Sequence, residues 1–203
     1  MQVLNNTLYT IATALLAPVI VSLLLLLAWT LIILGGFLKE LLERRRLRKR
    51  LDECIDLARA GAEDRVLLWD TLSRIPSGLP RRFTRFVEQR FSDERLMSQA
   101  LAQLESDVAD SVARHSFITR ISPILGLMGT LIPLGPALSG LANGNLQVLS
   151  GNLVVAFTAT VVGLLISALA YGMGLARRAW YSRDLNDLEF ISNQIAVRER
   201  NYA

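Results

Sequence analysis

The 203-residue chain is 52% hydrophobic and carries 22 basic against 18 acidic residues, a net charge of +4. Every charged residue lies in Lys39–Arg120 or Arg177–Arg200, and the remainder is almost wholly apolar or small. A soluble domain mixes the two classes at the period of its helices or strands, so blocks of this kind exclude an ordinary globular domain and indicate a chain divided between bilayer and water.

A helix of about 20 apolar residues crosses roughly 30 Å of hydrocarbon. Asn5–Leu38 exceeds that length, with Val19–Leu34 as its most apolar part. It lacks a basic leading region and runs into Gly-Gly-Phe-Leu, not a small-x-small cleavage site, so it reads as a permanent anchor and not a signal peptide. Next comes Lys39-Glu-Leu-Leu-Glu-Arg-Arg-Arg-Leu-Arg-Lys-Arg50. In this run Arg44, Arg45, Arg46, Arg48, Lys49 and Arg50 are assigned to topology and to anionic lipid headgroups. Leu47, Leu51, Ile55 and Ala58 are spaced 4, 4, 3, and no Gly or Pro interrupts the chain before Gly61. The first span is therefore expected to continue as one rod. Cys54, the sole cysteine, is read as an inert thiol. Val66–Ile75 makes a short helix, Pro76-Ser-Gly-Leu-Pro80 a turn, and a further helix runs from Ser92 through Val112 straight towards the second span. This region is too small and too charged to hold an enzyme core. It shows no phosphate loop, nucleophile elbow or metal pair, so no catalytic residue, metal or cofactor is assigned. His115, the sole histidine, is read as an interfacial residue.

The second span, Ile121–Ala142, places Ser122, Gly126, Gly129, Pro133, Ala137 and Gly140 at spacings of 4, 3, 4, 4, 3. The third, Val148–Ala176, places Ala156, Thr160, Gly163, Ser167, Ala170 and Gly174 at 4, 3, 4, 3, 4. Each set is a small-residue stripe on one helix face, which in lipid lets backbones approach closely. A single stripe most often means helix packing; two on adjacent spans, with hydroxyls at Thr130, Thr158 and Thr160, also suit a pore or a cleft for another helix. Pro133 and Pro136 each remove a backbone donor near mid-membrane, which places that face against protein or a wet cavity. No Asp, Glu, Lys, Arg or His occurs inside a span, so any proton path must borrow its carboxylate from a partner.

Basic residues near span ends stay in the cytoplasm. Arg177 and Arg178 follow the third span, whereas the amino-terminal segment and the link Asn143–Ser150 are uncharged. The expected topology has the amino terminus outside and the carboxyl terminus in the cytoplasm. The expected fold is an all-α membrane protein with three transmembrane helices and a cytoplasmic helical extension. Its parts are 1–38 (first span), 39–117 (cytoplasmic helices), 118–178 (transmembrane hairpin) and 179–203 (cytoplasmic tail).

Ser122-Pro-Ile-Leu-Gly-Leu-Met-Gly-Thr130 and Ala159-Thr-Val-Val-Gly-Leu-Leu-Ile-Ser-Ala-Leu-Ala-Tyr-Gly172 resemble the paired segments of the MotA/TolQ/ExbB family. The match covers Ile121–Arg178, and three spans fit the ExbB/TolQ branch. The resemblance implies a motor or energiser subunit in the inner membrane, driven by an ion gradient, with protons as the ion. It also implies a homo-pentamer surrounding a dimer of a single-span ExbD/TolR/MotB-like protein that carries a membrane Asp. By that resemblance Thr130 and Thr160 match pore-lining threonines and Pro123 matches a proline near the cytoplasmic mouth. Two departures stand out: Val155 occupies the place of a Glu usual in ExbB and TolQ, and the Pro133–Pro136 pair is foreign to the common branches. The competing reading is a non-conducting oligomeric scaffold.

Overall fold

The computed structural model describes residues 2–59, 65–87 and 94–200. Among them the chain forms five helices: α1 Gln2–Arg59, α2 Arg65–Ser73, α3 Gly78–Val87, α4 Glu94–Ala142 and α5 Leu146–Arg200. Three of these, α1, α4 and α5, each contain a stretch long and apolar enough to cross a membrane. The rod expected from the first span is present as the single helix α1. The run expected from Ser92 is present as α4, which starts at Glu94 and includes Pro123, Pro133 and Pro136; Ser92 itself lies outside the described residues.

Residues 76–80 depart from the expected turn. Only Arg74–Ser77 reverses the chain, and α3 begins at Gly78. Pro80 falls in the first turn of α3, where its missing N–H has no helical partner to lose. Gly78 holds φ at 78°, a backbone conformation that favours glycine, and a Cβ there would lie 2.9 Å from Leu47 Cδ2, which would have to shift. Arg81 donates to the Pro76 carbonyl at 2.7 Å and closes the turn. The resulting helix is amphipathic: Leu79, Phe83 and Val87 are buried, and Arg81, Arg82 and Arg85 are exposed.

The link between α4 and α5 is also shorter than expected. Helix resumes at Leu146, leaving only Asn143, Gly144 and Asn145 between the helices. Gly144 takes φ of 72°, its N–H donates to Leu141 O at 3.0 Å, and Asn145 N–H donates to Gly140 O at 2.8 Å. This paired closure satisfies the last carbonyls of α4. Asn145 then caps α5, its Oδ1 accepting from Val148 N–H at 3.1 Å.

Two compact units result. The apolar unit comprises Met1–Gly36 and Arg114–Gly174; the polar unit comprises Phe37–Ala113 and Leu175–Ala203. In the apolar unit, Val19 and Leu23 of α1 join Ile118 of α4 and Ala159, Ile166 and Ala170 of α5 in one cluster. The core of the polar unit is built from larger side chains, among them Leu51, Ile55, Leu72, Phe83, Met97, Leu104, Leu188 and Ile191.

Candidate functional site

The small-residue stripes meet each other. Ser122, Gly126, Gly129, Pro133, Ala137 and Gly140 are all buried on α4, as are Ala156, Gly163 and Ala170 on α5, while Thr160, Ser167 and Gly174 are half-buried. A Cβ on Gly163 would stand 2.7 Å from the Ser122 carbonyl oxygen and 3.0 Å from Gly126 Cα. One on Gly129 would lie 2.5 Å from Ala159 Cβ, and one on Gly140 2.8 Å from Val148 Cγ1. On α5, Gly174 faces the buried His115, whose Cβ a methyl there would approach to 3.1 Å. The stripes thus form the seam of the hairpin itself. Thr160 belongs to that seam, its Cα lying 3.5 Å from where a Gly126 side chain would begin.

Pro123 and Ser167 act as a pair. Proline has no N–H to give the carbonyl four residues back, which here is that of Thr119. Ser167 Oγ on α5 donates to that carbonyl at 2.8 Å, supplying across the hairpin the hydrogen bond that α4 lacks. The same arithmetic leaves the carbonyls of Gly129 and Ile132 without helical donors, because of Pro133 and Pro136.

The three threonines differ in setting. Thr130 is half-buried and its hydroxyl donates to Leu127 O at 2.7 Å; Thr158 is exposed and donates to Val154 O at 2.7 Å. The bond from Thr160 to Ala156 O is the longest, at 3.5 Å. Each hydroxyl proton is directed at its own helix, so the oxygen that remains is an acceptor. Val155 is exposed on α5.

Thr30 carries no motif in the sequence. It is fully buried on the face of α1 that also carries Val19 and Leu23, and its hydroxyl has no hydrogen-bond partner among the described residues. The signal available was its position, seven residues after Leu23 on one helical stripe.

In the polar unit the basic run divides. Arg44 reaches the buried Asp184 at 2.7 Å and lies over the Trp180 ring, and Arg48 binds Asp187 at 2.6 Å. Arg177 pairs with Glu40 at 3.1 Å, and Tyr181 Oη donates to the same carboxylate at 2.8 Å. Burial first, and the Glu40 bond second, push the Tyr181 hydroxyl up to about 12, so it stays protonated as that donor. Burial pushes the Asp184 carboxyl above its ordinary range despite Arg44. Of the remaining basic residues Lys49, Arg50 and Arg178 are exposed, while the side chains of Arg45 and Arg46 lie outside the described residues. Cys54 is buried in the core, and desolvation followed by Glu53 raises its thiol to about 11. Such a thiol is unreactive at neutral pH.

A model of the MotA/TolQ/ExbB proton channel family matches residues 79–189, more than half of the chain and all of the hairpin seam. The chain belongs to that family. No curated protein matches it. The match to a proton channel family and the three long apolar helices together make this a membrane protein. The matched segment also takes in α3 and the polar ends of α4 and α5, so the family pattern extends beyond the bilayer.

Proposed function

We propose that this chain is the channel-forming subunit of a motor driven by an ion gradient, in which several copies, five by family analogy, surround the single-span helices of a partner dimer. The observation that carries this reading is the absence of Asp, Glu, Lys, Arg and His from Val19–Leu34, Ile121–Ala142 and Val148–Ala176, in a chain that belongs to a proton-channel family. Proton passage through hydrocarbon needs a titratable group. In this reading a partner Asp supplies it, and Thr130 and Thr160 meet it or its hydrating water. Because their hydroxyl protons are committed to backbone carbonyls, these oxygens accept a hydrogen bond and favour the protonated acid or a donating water. Protonation of the partner acid thus tightens its contact with the threonines, and its release loosens it. The amino terminus lies outside and the polar unit in the cytoplasm of an inner membrane, following the basic residues.

Thr160→Val is the direct test, in the complex of this chain with its single-span partner reconstituted in liposomes. Proton flux should fall by at least tenfold with assembly unchanged, since the hydroxyl is replaced by a methyl of similar shape. Full flux in both Thr130→Val and Thr160→Val would remove these threonines from the path. The scaffold reading draws on one observation, Val155 at the place of the usual Glu, and it requires that the purified complex conduct no protons under any applied potential.

A further inference from the structure

We propose that the polar ends of α4 and α5 form the interface between neighbouring copies, with Asp110 of one copy pairing with Arg183 of the next. This inference rests on the oligomeric reading above and assigns residues to it.

In the polar unit α4 exposes a narrow strip of Ala102, Ser106, Ala109 and Ala113, spaced 4, 3, 4 and flanked by Glu105 and Asp110. On α5 the exposed strip is Leu175, Ala179, Ser182 and Asn186, spaced 4, 3, 4 and flanked by Arg178 and Arg183. All four flanking charges are exposed, and none forms an ion pair among the described residues. Over these turns the four flanking charges are acidic on α4 and basic on α5, the signs reversing further from the membrane at the exposed Arg95 and Glu189, and both strips have mostly small centres that admit another helix closely. Their surfaces are therefore complementary to each other, which is what a head-to-tail ring of identical chains requires.

The heights agree as well. Ser192 Oγ touches Met97 Sδ at 3.3 Å, which sets the antiparallel register of the two helices in the polar unit. By that register Asp110 is level with Ala179, and Arg183 lies four residues lower, about 6 Å along the axis. Copies related by an axis along the membrane normal sit at equal heights, so an arginine side chain spans that offset. When an antiparallel α4 and α5 face each other, the helical sense puts Asp110 and Arg183 on one flank and Glu105 and Arg178 on the other.

Charge reversal in the full chain in nanodiscs tests this, with the copy number read by native mass spectrometry and mass photometry across a dilution series. Arg183→Glu and Asp110→Arg should each raise the dissociation midpoint by about tenfold or more through like-charge apposition, and the double variant should return to within about threefold of the natural chain. Helix content and protection of the Cys54 thiol confirm that each variant is folded. Unchanged midpoints in both single variants, or a double variant no better than the worse single, overturn the interface and leave the oligomer standing. A natural chain that is monomeric at every concentration overturns the oligomer and the interface together.

Discussion

The apolar and polar units are held together by opposite means. In the apolar unit glycines let the helices meet closely, Gly163 against the backbone of Ser122 and Gly126, and Gly129 against the small side chain of Ala159, and the one cross-helix hydrogen bond described is Ser167 to a proline-freed carbonyl. In the polar unit large side chains such as Leu51, Phe83 and Met97 fill the core, and arginine–carboxylate pairs join α1 to α5. Solvent explains the difference. Water rewards burial of apolar area, whereas lipid tails are as apolar as leucine, so helices in a bilayer associate by close contact and by satisfying backbone groups. A substitution that enlarges a residue is thus the sensitive one in the first unit, and one that unpairs a charge is the sensitive one in the second.

The largest effect is expected at Arg44. Arg44→Met removes the hydrogen-bonded partner of the buried Asp184 carboxylate and leaves it only Arg48 at 3.6 Å, which should cost up to about 3–5 kcal/mol of polar-unit stability by denaturant unfolding, whereas Asp184→Asn should cost clearly less. The carboxyl of Asp184 is raised in the folded state, so between the ordinary carboxylate range and its raised value the native chain holds a proton that the unfolded chain has lost. Its contribution is fully present at lower pH and is lost as pH rises through the folded value. Subtracting the Asp184→Asn profile from that of the natural chain should show this slope, and parallel profiles would remove it.

Next is Gly163→Ala, whose methyl meets the backbone carbonyl of Ser122 and not a yielding side chain. Overpacking of this kind costs about 1–3 kcal/mol, visible as loss of hairpin stability in thermal melts. Smaller again is Ser167→Ala, which strips the Thr119 carbonyl of its donor. The loss should be about 0.6–1.7 kcal/mol, the range of hydrogen bonds between membrane helices. Pro123→Ala in the same chain restores the N–H and should recover most of it; a double variant no more stable than Ser167→Ala alone would dissolve the pairing. Gly172→Ala should change protomer stability by about zero, because nothing lies within 4 Å of the new methyl and the helix gains propensity. Two glycines on one helix thus separate seam from open surface.

What could be read in the sequence followed from local periodicity. The spans, the long rods and the seam on Gly126, Gly129 and Gly163 were legible because spacing and composition suffice to place a residue on a face. α3 was not, because Pro76-Ser-Gly-Leu-Pro80 carries turn residues and Pro80 is compatible with a helix only when the start is known to be Gly78. The engagement of Arg44 with Asp184 joins residues 140 apart, and charge alone reads the same whether an arginine faces lipid or a buried carboxylate. In the sequence Pro123 reads as a mouth residue by family resemblance and Ser167 as a packing residue by spacing. Their shared hydrogen bond depends on the register between two helices, which no single-helix pattern contains.

The three-residue link at Asn143–Asn145 bears on how the chain is made. Of the three spans, the one in α4 is the least apolar, and its prolines free carbonyls that a lone helix would present to lipid. With so little chain to cross before Leu146, the partner that closes over those groups follows almost at once during synthesis. The two helices are suited to enter the membrane together as a preassembled hairpin, and the link leaves scarcely any peptide on the far side for a protease or an antibody to grip.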